Sequence, residues 1–152
     1  MVSERREKIK LDQLLKVMFK LSKKVTVNLL NGLFNENYNP NNVKVQYTNN
    51  EFVLESLEKL YGDMFIKVQS HTKTITYHIE FQTQNDSSMA IRMFRYGFEN
   101  AAEAVDDPSK EKIRLDFPKQ LVIFLEENNN IKDDISFILT MPDGNELDYK
   151  VP

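Results

Sequence analysis

The sequence predicts a single α/β domain, and three observations predict it. Two β-type runs, Met64 to Val68 and Thr74 to Phe81, flank a polar break at Gln69 to Lys73 and read as a hairpin. Apolar residues recur at helical spacing on both sides of that hairpin, and a continuous apolar run, Leu121 to Leu125, has the character of a strand buried on both faces. At 152 residues the chain can bury one proper core and is too short for two ordinary domains, so one domain is expected over residues 1–152.

Leu11, Leu14, Leu15, Met18 and Phe19 lie on one stripe, predicting an amphipathic helix over Lys10 to Leu21 whose lysines form a solvated face or a patch that touches phosphates. A second helix is expected over about Val25 to Phe34, ended by Asn35, Glu36 and Asn37 and by the breaker Asn39-Pro40-Asn41-Asn42. Val43, Val45 and Tyr47 alternate with Lys44 and Gln46, which predicts a short strand. Glu51 to Tyr61 reads either as a strand, from Phe52, Val53 and Leu54, or as a short helix lined by Leu54, Leu57, Glu58 and Tyr61. Past the hairpin, Asn85 to Ser88 offer N-caps for a helix running to about Ala104. Its expected core face is Met89, Met93, Gly97, Asn100, Ala101 and Ala104, with Arg92, Tyr96 and Glu99 on an adjoining stripe. Glu126 to Asn130 reads as a loop, and Ile135 to Leu139 and Leu147 to Val151 flank the turn Pro142-Asp143-Gly144 as a terminal hairpin. The abrupt stop at Pro152 suggests a piece of a longer protein.

The net charge of −3 and a pI near 5.5 give no global positive field, which argues against strong non-specific DNA binding and leaves nucleic-acid contact to a local patch. The absence of cysteine excludes disulfides, thiolate catalysis and cysteine-ligated zinc, and fits a reducing cytoplasm. No apolar run approaches ~18 residues and no signal peptide opens the chain, so no membrane partner is expected.

The hairpin carries the strongest chemical clue. A loop symmetric about His71 and Thr72 pairs Met64 with Ile79, Ile66 with Tyr77 and Val68 with Ile75, all apolar and all on one face. The same register sets Asp63 opposite Glu80 on the other face, where opposed Cβ atoms stand roughly 4.5 to 5.5 Å apart. Two carboxylates at that range repel unless a proton or divalent cation relieves them, and hard oxygen ligands suit magnesium or manganese. Asp63, Glu80 and the backbone carbonyl of Phe81 are the candidate ligands, for an ion that would activate water and stabilise charge on a phosphodiester. His78 shares the Glu80 face, where it reads as a polar surface residue or as a base.

The runs EFVLESLEKLYGDMFIKV, YHIEFQ and MAIRMFRYGF resemble the PD-(D/E)XK nuclease-fold family of recombination-promoting nucleases, or YhgA-like transposases. That family's pattern is an Asp before a strand, Glu-x-Gln at the end of the next, and Arg-x-x-x-Tyr on the following helix. Here these fall on Asp63, on Glu80 with Gln82, and on Arg92 with Tyr96. The resemblance implies a restriction-endonuclease-like core with a mixed four-stranded sheet flanked by helices, to which this chain adds its terminal hairpin. It also implies magnesium- or manganese-dependent DNA cleavage associated with recombination. Asp63, Glu80 and Gln82 would be catalytic, and Arg92 and Tyr96 would either contact DNA or brace helix against sheet. Gln82 stands where the wider fold has a lysine, and supplies a neutral amide rather than a charge. An acidic residue on the first helix is represented by Asp12 or Glu55. Nucleases of this fold often pair to cut both strands, so a homodimer is a further implication, although no residue here marks its face. A non-catalytic binding domain that keeps the fold is the alternative, and RNA or single strands are a third class of target.

Overall fold

A computed structural model describes residues 22–47, 64–82, 86–125 and 131–152. The expected helix over Lys10 to Leu21, the ambiguous stretch Glu51 to Tyr61, the loop Glu126 to Asn130, and Asp12, Glu55 and Asp63 lie outside them.

Helix α1 (Lys23–Phe34) starts where the Ser22 side chain accepts from the Val25 N–H, and stops where Asn35 turns left-handed at φ 53°. Asparagine tolerates that conformation better than most residues. Asn31 then bonds both backbone groups of Tyr38, its amide donating to the carbonyl at 2.9 Å and its oxygen accepting from the N–H at 2.8 Å. These bonds fold the chain back toward a 3-10 turn at Pro40–Asn42 and strand β1 (Lys44–Tyr47). Strands β2 (Met64–Gln69) and β3 (Thr74–Gln82), helix α2 (Met89–Glu103) and strand β4 (Lys119–Phe124) follow.

The sheet order is β1-β2-β3-β4, with β1, β2 and β3 antiparallel and β4 parallel to β3. A parallel pair needs a long crossover, which α2 provides. The hairpin register is the expected one: Met64 pairs with Ile79, Ile66 with Tyr77 and Val68 with Ile75. Those residues pack against Val27 and Leu30 of α1 in the larger core, while Met89 and Met93 of α2 pack with Val122 and Val151 on the opposite face. The architecture is thus the expected α/β one, a mixed four-stranded sheet with helices on its two faces.

The terminal hairpin, β5 (Ile135–Thr140) and β6 (Glu146–Val151), turns at Gly144 with φ 87° and lays its apolar pairs Ile135–Val151 and Phe137–Tyr149 toward α2. Phe94 on α2 meets the Phe137 and Tyr149 rings edge-on at 5.5 and 5.1 Å, and Val122 donates to the Pro152 carbonyl at 2.9 Å. On α2, Met89, Met93, Gly97 and Ala101 are buried as expected, whereas Ala104 is exposed because the helix stops at Glu103. A Cβ on Gly97 would stand 2.6 Å from Gln120 Nε2 and 2.7 Å from Phe117 Cζ. Gly97→Ala is therefore expected to destabilise the protein by about 1–3 kcal/mol despite the better helix propensity of alanine. An unchanged urea midpoint would show that α2 can lift off the sheet at no cost.

Candidate active site

Alternation along β3 points Thr76, His78, Glu80 and Gln82 to the face opposite α1. Glu80 is 4% exposed, and one of its oxygens, Oε1, accepts from Gln82 Nε2 and from Arg92 Nη2, each at 2.8 Å. Two features place these three together: a two-residue step along the strand, and the first turn of α2, which begins shortly after β3 ends. Asp86 shapes that junction by accepting from the backbone N–H of Ser88 at 2.8 Å, while its own carbonyl accepts from the Met89 N–H. The site therefore sits at the carboxyl end of β3 beside the start of α2, where open α/β sheets generally bind ligands. Arg92 also reaches the Met89 sulfur at 3.2 Å and remains 32% exposed. Tyr96 lies one turn further along α2, half-buried, with the Arg95 guanidinium over its ring at 4.9 Å.

His78 is neither a surface residue nor a poised base. It is completely buried, stacked on Phe65 at 4.2 Å, with Nδ1 facing Gln120 Nε2 at 2.8 Å. Gln120 also donates to the Met93 carbonyl at 2.6 Å and accepts from the Tyr149 hydroxyl. With the amide orientation fixed by those two contacts, Nδ1 accepts and the neutral ring carries its proton on Nε2. Burial pushes the His78 pKa down to about 4; Glu80 opposes that shift and Arg92 adds to it. Gln120 joins β4, β3, α2 and the terminal hairpin, and the sequence reading did not single it out. Its only signal was a polar residue abutting the apolar run of β4.

A second polar cluster lies toward the other end of β3. Glu36, on the loop after α1, accepts from the Tyr77 hydroxyl at 2.9 Å, from Lys73 at 3.3 Å and from Lys119. Tyr38 and Tyr77 hydroxyls meet at 2.6 Å, and since Tyr77 donates to Glu36, Tyr38 is the donor between them. Burial pushes the Glu36 carboxyl up, but the bonds from Lys119, Tyr77 and Lys73 prevail and hold it below its usual value. Burial raises the Tyr77 hydroxyl, which stays protonated. This cluster ties the α1 loop to the sheet.

Of the residues predicted for the site, the structure brings Glu80, Gln82 and Arg92 into direct contact and leaves Tyr96 a turn away. Asp63 lies outside the described residues, and Phe81 sits in β3 between Glu80 and Gln82. No group of three or more His, Asp or Glu able to hold a metal occurs among the described residues. Nor is any helix among them long and apolar enough to cross a membrane.

Residues 9–129 match the family described as "Putative transposase, YhgA-like". No curated protein and no solved structure matches the chain. The matched stretch contains α1, the whole mixed sheet, α2 and the Glu80 constellation, and stops before the terminal hairpin. The chain belongs to the YhgA-like transposase family.

Proposed function

We propose that this protein is a metal-dependent endonuclease that hydrolyses DNA phosphodiester bonds in recombination or transposition. The observation that carries this reading is Glu80, a carboxylate withdrawn from solvent at the carboxyl end of β3 and already matched to a cation, in a chain of a transposase family. Transposition acts on DNA, and hydrolysis at phosphorus needs positive charge close to the reacting oxygens.

All three proposed donors are oxygens, the ligand type that a hard divalent cation takes. Glu80 and the Phe81 carbonyl would ligate it, with Asp63 as the second carboxylate. Met64 pairs with Ile79, so a ladder continued by one pair would set Asp63 across from Glu80. Magnesium or manganese held there would supply an activated water and charge stabilisation on the phosphodiester. Gln82 spends its N–H on Glu80, which leaves its amide oxygen as the acceptor that orients a water. Being neutral, it adds no charge, so slow turnover is expected. Arg92 and Tyr96 on the adjoining helix face would take the DNA phosphates. His78 takes no proton in this scheme, because its pKa near 4 makes it a weak base and burial keeps it from solvent.

Incubation of purified protein with supercoiled plasmid and magnesium or manganese is expected to give nicked circles, and Asp63→Ala is expected to abolish them. Cleavage that survives both Asp63→Ala and Glu80→Ala would contradict the assignment. The second reading, a non-catalytic binding domain, is favoured by one feature: Glu80 Oε1 already receives two donors from the protein, Gln82 and Arg92. Calorimetric titration with manganese separates the two readings. Neither heat nor thermal stabilisation would favour the binding domain.

A further inference from the structure

Arg92 stands where a metal ion would bring its charge, and the manner of its contact makes it replaceable. Its fork offers five N–H donors, yet only Nη2 reaches Glu80, and it reaches a single oxygen that Gln82 already occupies. Bidentate pairing, the strong form of an arginine–carboxylate contact, is not made. The guanidinium projects from the first turn of α2, which holds no acidic residue, where the positive end of the helix dipole disfavours a cation; Asp86, just ahead of the helix, also feels its charge but does not bond it. Removing the guanidinium with nothing in its place would leave a carboxylate that is 4% exposed without that cation, so the pair is well suited to exchange and poorly suited to simple loss.

We infer that Arg92 is an exchangeable counter-ion for Glu80: it neutralises the carboxylate in the metal-free protein and competes with the divalent cation for it. Cation and guanidinium on one carboxylate repel, so metal entry releases Arg92. The freed side chain, partly exposed and at a helix N-terminus, then has an anion as its natural partner, and DNA phosphate supplies one. Metal occupancy and grip on the nucleic-acid backbone are thereby coupled, so that Arg92 becomes available only when the site is loaded. This regulation rests on the metal-site reading of Glu80 given above.

Manganese affinity measured by calorimetry on the wild-type protein and on Arg92→Met tests the inference without any cleavage assay. Methionine keeps much of the stem's bulk and removes the charge. Arg92→Met is expected to bind manganese about tenfold more tightly or better, with a larger rise in Tm on saturation, while Arg92→Lys stays near wild type. Equal or weaker binding by Arg92→Met would overturn the competition while leaving the metal site standing. Absence of binding in both folded proteins would overturn the metal site itself, and the inference with it. If Arg92→Met does not fold, wild-type protein answers through NMR of its arginine side chains. Added magnesium should speed solvent exchange of the Arg92 guanidinium protons, and unchanged exchange at saturating magnesium would overturn the inference.

Discussion

Glu80→Ala is expected to lower metal-dependent plasmid nicking by more than about a hundredfold while leaving the protein folded. Outer-sphere partners of metal ligands already cost roughly 10–100-fold when removed, and Glu80 is proposed as a direct ligand. The substitution strands Arg92, but that side chain is 32% exposed and can be hydrated, so its orphaned charge is cheap compared with that of a fully buried group. A urea midpoint within a few tenths of a molar of wild type, together with lost nicking, would place the effect in chemistry. Glu80→Gln sharpens the result, because it keeps volume and one acceptor oxygen while removing the charge and making the other end of the group a donor. Retained nicking in either variant would remove Glu80 from the mechanism.

The second large effect is on stability in acid and belongs to His78. Its folded pKa of about 4 lies below the ordinary value of 6.5, chiefly through burial. Between these two values the unfolded chain binds more protons than the native one, so stability rises with pH across that window. The contribution is fully present above about pH 6.5 and is lost progressively on acidification, the loss reaching on the order of 3 kcal/mol below pH 4. Denaturant titrations between pH 7 and pH 4 should therefore show wild type losing stability relative to His78→Gln as the pH falls. Glutamine has no charge to acquire, and the difference between the proteins isolates the imidazole from Glu36 and the other carboxyls. Curves that stay parallel over the whole range would mean that His78 opens to solvent in the native state.

What the sequence made legible followed from strict periodicity. Alternation over Met64 to Val68 and Thr74 to Phe81, with a symmetric loop between, leaves one register that keeps every apolar pair on one face, and the observed pairing is that register. Helix α1 ended where Asn35 and the Asn39 to Asn42 breaker said it would. The polar face of β3 was the harder reading. Alternation normally means that the second face meets water, and so His78 looked like a surface residue. Here α2 and the terminal hairpin cover that face as well, and its polar groups are buried in company: Glu80 with Arg92 and Gln82, His78 with Gln120. Such pairing depends on residues brought in from distant parts of the chain, and no local pattern announces it. The link from Tyr149 through Gln120 to His78 escaped for the same reason, as did the Glu36 cluster, whose partners Tyr77 and Lys119 are set by tertiary packing. The link from Glu80 to Gln82 and Arg92 was carried by family order and spacing, and the structure gives it a physical form: two donors on one carboxylate oxygen.

A crystal soaked in manganese and measured at an anomalous-scattering wavelength tests the central claim most directly, because it asks where the ion sits without asking whether DNA is cut. The account predicts one strong anomalous peak in ligating contact with the Glu80 carboxylate, shared with Asp63, and the Arg92 guanidinium withdrawn from Oε1. Crystals that diffract well at saturating manganese, with no peak at Glu80 and the Arg92–Glu80 contact still at its 2.8 Å distance, would contradict it.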